Sequence, residues 1–178
     1  IEVARELGAN EMKLDDIGIA ATRLNARLLI EAIGDAAVQT PPENYDEASE
    51  ALRRGDIAVM GGVAPAQTTD AVSAALAEYV DADLLVYGTS VSGVYTADPN
   101  EDPDAEHIAE ISAADLVERI AGIEMNAGAA APVDLLAAKV IQRSGLRTIV
   151  LDGTDPKRIQ RAVETGEHDG TDVLPANG

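Results

Sequence analysis

Cysteine, tryptophan and phenylalanine are absent from this chain, and only three of its 178 residues are lysine. Without cysteine there is neither a disulfide nor thiolate chemistry to consider. The aromatic content is 2%, the four tyrosines Tyr45, Tyr79, Tyr87 and Tyr95, so the core has to be aliphatic. No apolar run approaches the ~20 residues of a membrane-spanning helix and no signal-peptide pattern is present, which makes the expected location cytoplasmic. Positive charge is scarce as well. Lys and Arg total 13 against 32 Asp and Glu, a net charge of −19. Such a surface excludes nonspecific nucleic-acid binding, which needs a basic face.

The basic residues that remain are ten Arg and three Lys: Lys13, Lys139 and Lys157. An acid excess with an Arg bias points to a salt-accumulating cytoplasm. In molar salt the Debye length falls to about 3 Å, so acidic self-repulsion is mostly screened while the carboxylates keep the surface hydrated. With 46% hydrophobic residues, a chain of this length buries a core and fits a single domain over residues 1–178.

Gln67 to Pro99 is the most informative stretch. Thr68, Thr69 and Asp70 are all capping residues, and Ala71, Val72, Ala74, Ala75, Leu76, Tyr79 and Val80 behind them fall largely on one helical face. Asp83 to Tyr87, DLLVY, then reads as a sheet-core strand with a polar carboxyl end at Gly88, Thr89 and Ser90. Ligands of open α/β sheets gather beyond the carboxyl ends of strands, and a helix start offers free N–H groups and positive dipole to an anion.

Strands and helices alternate along the rest of the chain. Ile1 to Gly8 reads as the last turns of a helix. Asp15 to Ile33 predicts a long helix with Ile17, Ala21, Leu24, Leu28 and Ile33 spaced for one buried face. Ala37 to Gln39 and Ile57 to Met60 predict short strands on either side of a helix over Tyr45 to Arg54. Ser112 to Ile120 predicts a helix with Ser112 and Asp115 in a capping-box relation. Pro132 opens the helix VDLLAAKVIQRSG, with Leu135, Leu136, Val140 and Ile141 toward the sheet and Gly145 at its stop. A strand RTIVL, a helix over Asp155 to Glu164 and a short strand over Thr171 to Val173 complete the series. The alternation predicts an α/β fold, a three-layer α/β/α sandwich around a mostly parallel sheet.

TTDAVSAALAEYVDADLLVYGTSVSGVYTADP resembles the amino acid kinase superfamily and, within it, the archaeal uridylate (UMP) kinase branch. LDDIGIAATRLNARLLI, VMGGVAPAQTTDA, PVDLLAAKVIQRSGLRTIVLDG and GEHDGTDV extend the likeness over almost the whole chain. The resemblance implies a carbamate-kinase-like fold and transfer of the ATP γ-phosphate, with Mg²⁺, to UMP in pyrimidine nucleotide biosynthesis. It also implies a homo-oligomer, a hexamer, with the Asp15 to Ile33 helix at a subunit contact; residues such as Ile19, Ala20, Leu29 and Ile30 supplement its buried face, and such a helix needs two partners.

The site residues follow from the same likeness. Asp15 stands where the family meets the UMP ribose; from the sequence alone it is equally a helix N-cap shared with Asp16. Pro65, Ala66, Gln67, Thr68, Thr69, Asp70 and Ala71 wrap the UMP phosphate and base. Asp70 organises cationic groups or metal near the phosphates and Lys139 is the second catalytic candidate, against a plain helix-surface role; no protein metal ligand is assigned. Thr89, Tyr95 and Asp98 meet ATP, with a half-buried ring and a turn cap as the bland alternatives for Tyr95 and Asp98. Arg23 and Arg27 are surface or interface cations. His107 and His168 are expected to be structural or solvent residues.

The chain departs from the family at Ser92, where Asp is common, and at Gly128-Ala129-Ala130, where a Gly-Ser-Ser run is usual. The family's Gly-Gly-Ser and Gly-Gly-Gly phosphate loops are expected upstream of Ile1, so the chain reads as truncated at its N-terminus by at least one βαβ-sized piece, about 30 residues or more. Two alternatives to UMP phosphorylation are weighed: a non-catalytic nucleotide-binding or assembly module, and another superfamily activity on acetylglutamate, aspartate or isopentenyl phosphate. PAQTTDA favours the UMP branch.

Overall fold

A computed structural model describes residues 1–124 and 132–175. The chain forms two compact units, residues 1–72 and 73–178.

The first unit is helical. After a short α1 (Glu2–Glu6), α2 (Glu11–Ile33) starts four residues before the expected Asp15, because Asn10 caps it by accepting the N–H of Lys13. Asp15 and Asp16 are therefore interior helix residues and neither is the cap. The buried face also differs from the expected one. Leu14, Ala26 and Ile30 are buried, whereas Ile17, Leu24 and Leu28 are 42%, 59% and 63% exposed. The i, i+4, i+7, i+11 stripe 17-21-24-28 thus faces solvent, and the helix turns its other side to the chain. Ile30 packs with Ala37, Val38 and Ala51 of α3 (Tyr45–Arg53), which is capped by Asn44 and ends before Gly55 at φ +88. The two strands expected around α3 reduce to one parallel bridge, Ala37 to Ile57, and Ile57 is half exposed.

α4 (Thr69–Tyr79) follows, with Thr68 Oγ1 accepting the N–H of Ala71. Its later residues Ala74 and Ala77 belong to the core of the second unit, while Tyr79 is exposed.

The second unit is built on a four-stranded sheet in the order β1 (Leu85–Thr89), β5 (Thr148–Asp152), β6 (Thr171–Leu174), β4 (Glu110–Ser112). β1 runs parallel to β5 and β4 parallel to β6, while β5 and β6 are antiparallel. Alternation along the strands sends side chains to opposite faces. Leu85, Tyr87 and Val150 join α5 (Ala113–Glu124) and α6 (Leu135–Ser144) in one core, and Ile149, Leu151 and Val86 join Ile159 and Ala162 of α7 (Pro156–Thr165) in another. The second unit is therefore helix, sheet, helix in layers, as the alternation predicts. Ser112 Oγ accepts the Asp115 N–H as expected, but the Asp115 carboxylate takes the Ser112 hydroxyl rather than its backbone N–H. α6 starts at Leu135, capped by Asp134, not at Pro132, and Leu136 points to solvent. A two-stranded hairpin, β2 (Val94–Tyr95) with β3 (His107–Ile108), has no counterpart among the expected strands. The expected Gly128-Ala129-Ala130 departure lies outside the described residues.

Candidate functional site: an α2-strapped loop and a nucleotide-sized cavity

In the first unit, the loop from Gly61 to Ala66 is strapped along α2. Thr22 Oγ1 accepts the N–H of Gly62 at 2.8 Å, and Arg23 Nε donates to Gly62 O at 3.1 Å. The two glycines are what permit this approach: a Cβ on Gly61 would stand 2.7 Å from the backbone N of Arg23, and one on Gly62 2.9 Å from Ile19 Cγ1. About two turns earlier on the same helix, Asp15 Oδ2 accepts the N–H of Ala66 at 2.8 Å. Ala66 has φ +62, a conformation that costs a non-glycine residue about 1–2 kcal/mol, and the carboxylate bond secures it.

The positions 15, 19, 22 and 23 thus form one functional face of α2. Of these the sequence pointed only to Asp15. Arg23 was legible only as a surface or interface cation and Thr22 drew no reading, since nothing local marks a partner 39 or 40 residues away. Beyond Ala66, the segment Gln67, Thr68, Thr69 is exposed and leads directly into the first turn of α4, where Asp70 and Ala71 lie. Thr68 supplies the cap, and Thr69 and Asp70 are engaged in further interactions. Pro65 to Ala71 is therefore one continuous segment running into a helix N-terminus, the kind of place that suits an anion, with the Ala66 and Ala71 N–H groups already taken by Asp15 and Thr68.

In the second unit, a cavity of about 520 Å³ opens beyond the carboxyl end of β1. Thr89, Tyr95 and Asp98, the three residues expected at ATP, all line it. Thr89 Oγ1 donates to Val91 O at 2.8 Å and accepts the Val91 N–H at 3.1 Å, closing the turn out of the strand. Asp98 Oδ1 accepts both the N–H and the side-chain amide of Asn100, so the turn-cap role is real and coexists with a place in the cavity wall. Tyr95 lies edge-on to His107, with ring centroids 5.2 Å apart.

Arg119 is the one basic residue in the described lining, which also includes Asp98, Glu101 and Asp102. It donates through Nη1 to Thr96 O, while its buried Nε has no partner among the described residues. It was missed because an Arg on a polar helix face carries no signal by itself. Lys139 stands exposed on α6 and is not part of the cavity wall. At the carboxyl edge Asp152 pairs in register with Thr89. Thr154 holds its carboxyl below the ordinary range by donating from both Oγ1 and N–H, with Arg158 adding attraction. Asp152 is a structural anchor of the β5–α7 turn. His168 is likewise structural: Nε2 contacts Asp172 at 3.2 Å and Nδ1 accepts the Gly170 N–H. Among the described residues no three His, Asp or Glu side chains are grouped to hold a metal, and no helix is long and apolar enough to cross a membrane.

The amino acid kinase family profile matches residues 2–152. A protein named uridylate kinase from Halobacterium salinarum is 71% identical over 175 residues, covering 98% of this chain and 73% of that protein. One of the same name from Haloarcula marismortui is 68% identical, covering 97% of this chain and 75% of its own length. The crystal structure of uridylate kinase from Archaeoglobus fulgidus superposes with a TM-score of 0.85 at 46% identity, over 97% of this chain and 77% of that one.

Proposed function

The chain belongs to the amino acid kinase family, and from that premise we infer that it phosphorylates UMP to UDP with the γ-phosphate of ATP. The observation that carries this is the pairing of high identity to two haloarchaeal proteins named uridylate kinase with a helix-start loop and a strand-end cavity of nucleotide size.

The site assignments are proposals of the same kind. Pro65 to Ala71 takes the UMP phosphate and base, the loop being held open by Asp15, Thr22 and Arg23. Thr89, Tyr95 and Asp98 take ATP in the cavity. Mg²⁺ enters as part of the ATP complex. Phosphoryl transfer requires alignment and charge stabilisation more than covalent help from the protein, so the chain needs no histidine base. Asp70 and Lys139 are the candidates for that alignment; support for Asp70 is its place in the first turn of α4, and for Lys139 only the family likeness.

Residues 1–178 are taken as one amino acid kinase domain, supported by a family match that runs through both compact units. The exposed apolar stripe on α2 supports a homo-oligomer, with a hexamer proposed, and the acidic, lysine-poor composition and the family likeness support a cytoplasmic enzyme of pyrimidine biosynthesis in a salt-rich cell.

A coupled assay of the complete reading frame's product in molar KCl, offering UMP, CMP, acetylglutamate, aspartate and isopentenyl phosphate side by side, tests the activity. Preference for UMP is expected. A preferred acceptor other than UMP, or ATP binding with no transfer to any of them, would overturn it in favour of a sister activity or a non-catalytic module.

A further inference from the structure

The Gly170-Thr171 pair begins β6, far in sequence from the cavity, yet its hydroxyl reaches the cavity wall. Gly170 lies so close to β5 that a Cβ there would collide with Val150 O and Leu151. Thr171, fully buried, pairs with Val150 on that strand. Its side chain points the other way, to the β2–β3 hairpin. Thr171 Oγ1 accepts the N–H of Val94 at 2.8 Å and donates to Ile108 O at 2.6 Å, tying both strands of the hairpin at the pair Val94 to Ile108. His107 Nε2 stands 3.5 Å from the same oxygen.

The consequence reaches Tyr95 by two routes. Val94 is its chain neighbour, and His107 is both its cross-strand partner and its edge-on ring contact. Gly93 has to be glycine for the same assembly: at φ +153 its Cβ would collide with Thr171 Oγ1 and stand 2.7 Å from His107 Nε2. Gly93, Val94 and Tyr95 all line the cavity.

We propose that Thr171, acting with His107, is a positioning residue that sets the Gly93 to Tyr95 wall of the cavity and thereby the enzyme's affinity for ATP. The proposal rests on the reading of that cavity as the ATP site. A hydroxyl that is donor and acceptor at once has no apolar substitute, because removing it takes one bond from Val94 N–H and one from Ile108 O.

The test is steady-state kinetics of the complete product in molar KCl, varying ATP and UMP separately, on Thr171→Val, Thr171→Ser, His107→Ala, His107→Phe and Tyr95→Ala. Thr171→Val keeps the shape and loses both bonds; it should raise KM for ATP by about tenfold, the order expected for one buried hydrogen-bonded brace, with KM for UMP unchanged. Thr171→Ser should restore the wild-type value. His107→Ala should raise KM for ATP and His107→Phe, which keeps the ring edge, should not. If Thr171→Val does not fold, the His107 pair decides alone. Equal defects in the Val and Ser variants, a parallel rise in KM for UMP, or an unchanged KM for ATP in Thr171→Val or His107→Ala overturns the proposal. If Tyr95→Ala also leaves KM for ATP unchanged, it is the assignment of the cavity to ATP that has failed; if Tyr95→Ala raises it while the Thr171 and His107 variants do not, only the positioning role has failed.

Discussion

Asp15 Oδ2 and the backbone N–H of Ala66 meet at 2.8 Å across 51 residues of sequence. The bond joins the first turns of α2 to the last residue of a glycine-led loop, immediately before the Thr68 cap of α4. A charge-assisted hydrogen bond of this kind is worth roughly 1.5–3 kcal/mol, which is comparable to the cost of the left-handed φ at Ala66.

Loss of that carboxylate is predicted to act on the acceptor side alone. Asp15→Ala should raise KM for UMP by about tenfold, the lower end of the range because the site is partly solvated. Asp15→Asn, which retains an acceptor oxygen, should show a smaller rise. Initial rates with UMP varied at saturating ATP check it, and an equal effect on KM for ATP would contradict the assignment.

The α2 face illustrates what sequence could and could not convey. The stripe at 17, 21, 24 and 28 has faultless helical spacing, yet Leu24 and Leu28 are exposed in the single chain. Periodicity identifies an apolar face but not what covers it. The face that is used, through Ile19, Thr22 and Arg23, is recognisable only once Gly61 and Gly62 are known to lie against it. Strands such as Val94–Tyr95 and His107–Ile108 are two residues long, too short for an alternation signal. The helix ends at Gly55 and Gly145, by contrast, were readable because glycine at a left-handed helix stop is a local, chemical requirement.

The exposed stripe yields a prediction about assembly. In dilute buffer copies of a chain with net charge −19 repel one another, and screening by KCl should let the apolar faces associate. Light scattering across a KCl series should show the oligomer growing in as salt rises. Leu24→Glu and Leu28→Glu should hold the protein in a smaller state at the same salt. A wild-type monomer at molar KCl would contradict the role assigned to α2.

Asp152 gives a pH dependence with a definite sign. Thr154 and Arg158 lower its folded value, so the stabilisation is present above the ordinary carboxylate range and is lost as pH falls through the lowered folded value. The difference in urea midpoint between wild type and Asp152→Asn, measured at fixed KCl, should therefore shrink as pH drops below about 4. A difference that stays constant or widens on acidification would show that the Thr154 bonds do not favour the ionised form.

The central claim is that two distinct places on this chain receive two nucleotides, UMP at the Pro65 to Ala71 loop and ATP at the cavity beyond β1. The most direct test follows label from γ-phosphate-labelled ATP into product, with Mg²⁺ and molar KCl, for wild type, Thr68→Ala and Tyr95→Ala. The account predicts labelled UDP, KM for UMP raised only by Thr68→Ala, and KM for ATP raised only by Tyr95→Ala. Label appearing in another acceptor in preference to UMP, or both substitutions shifting the same KM, would contradict it.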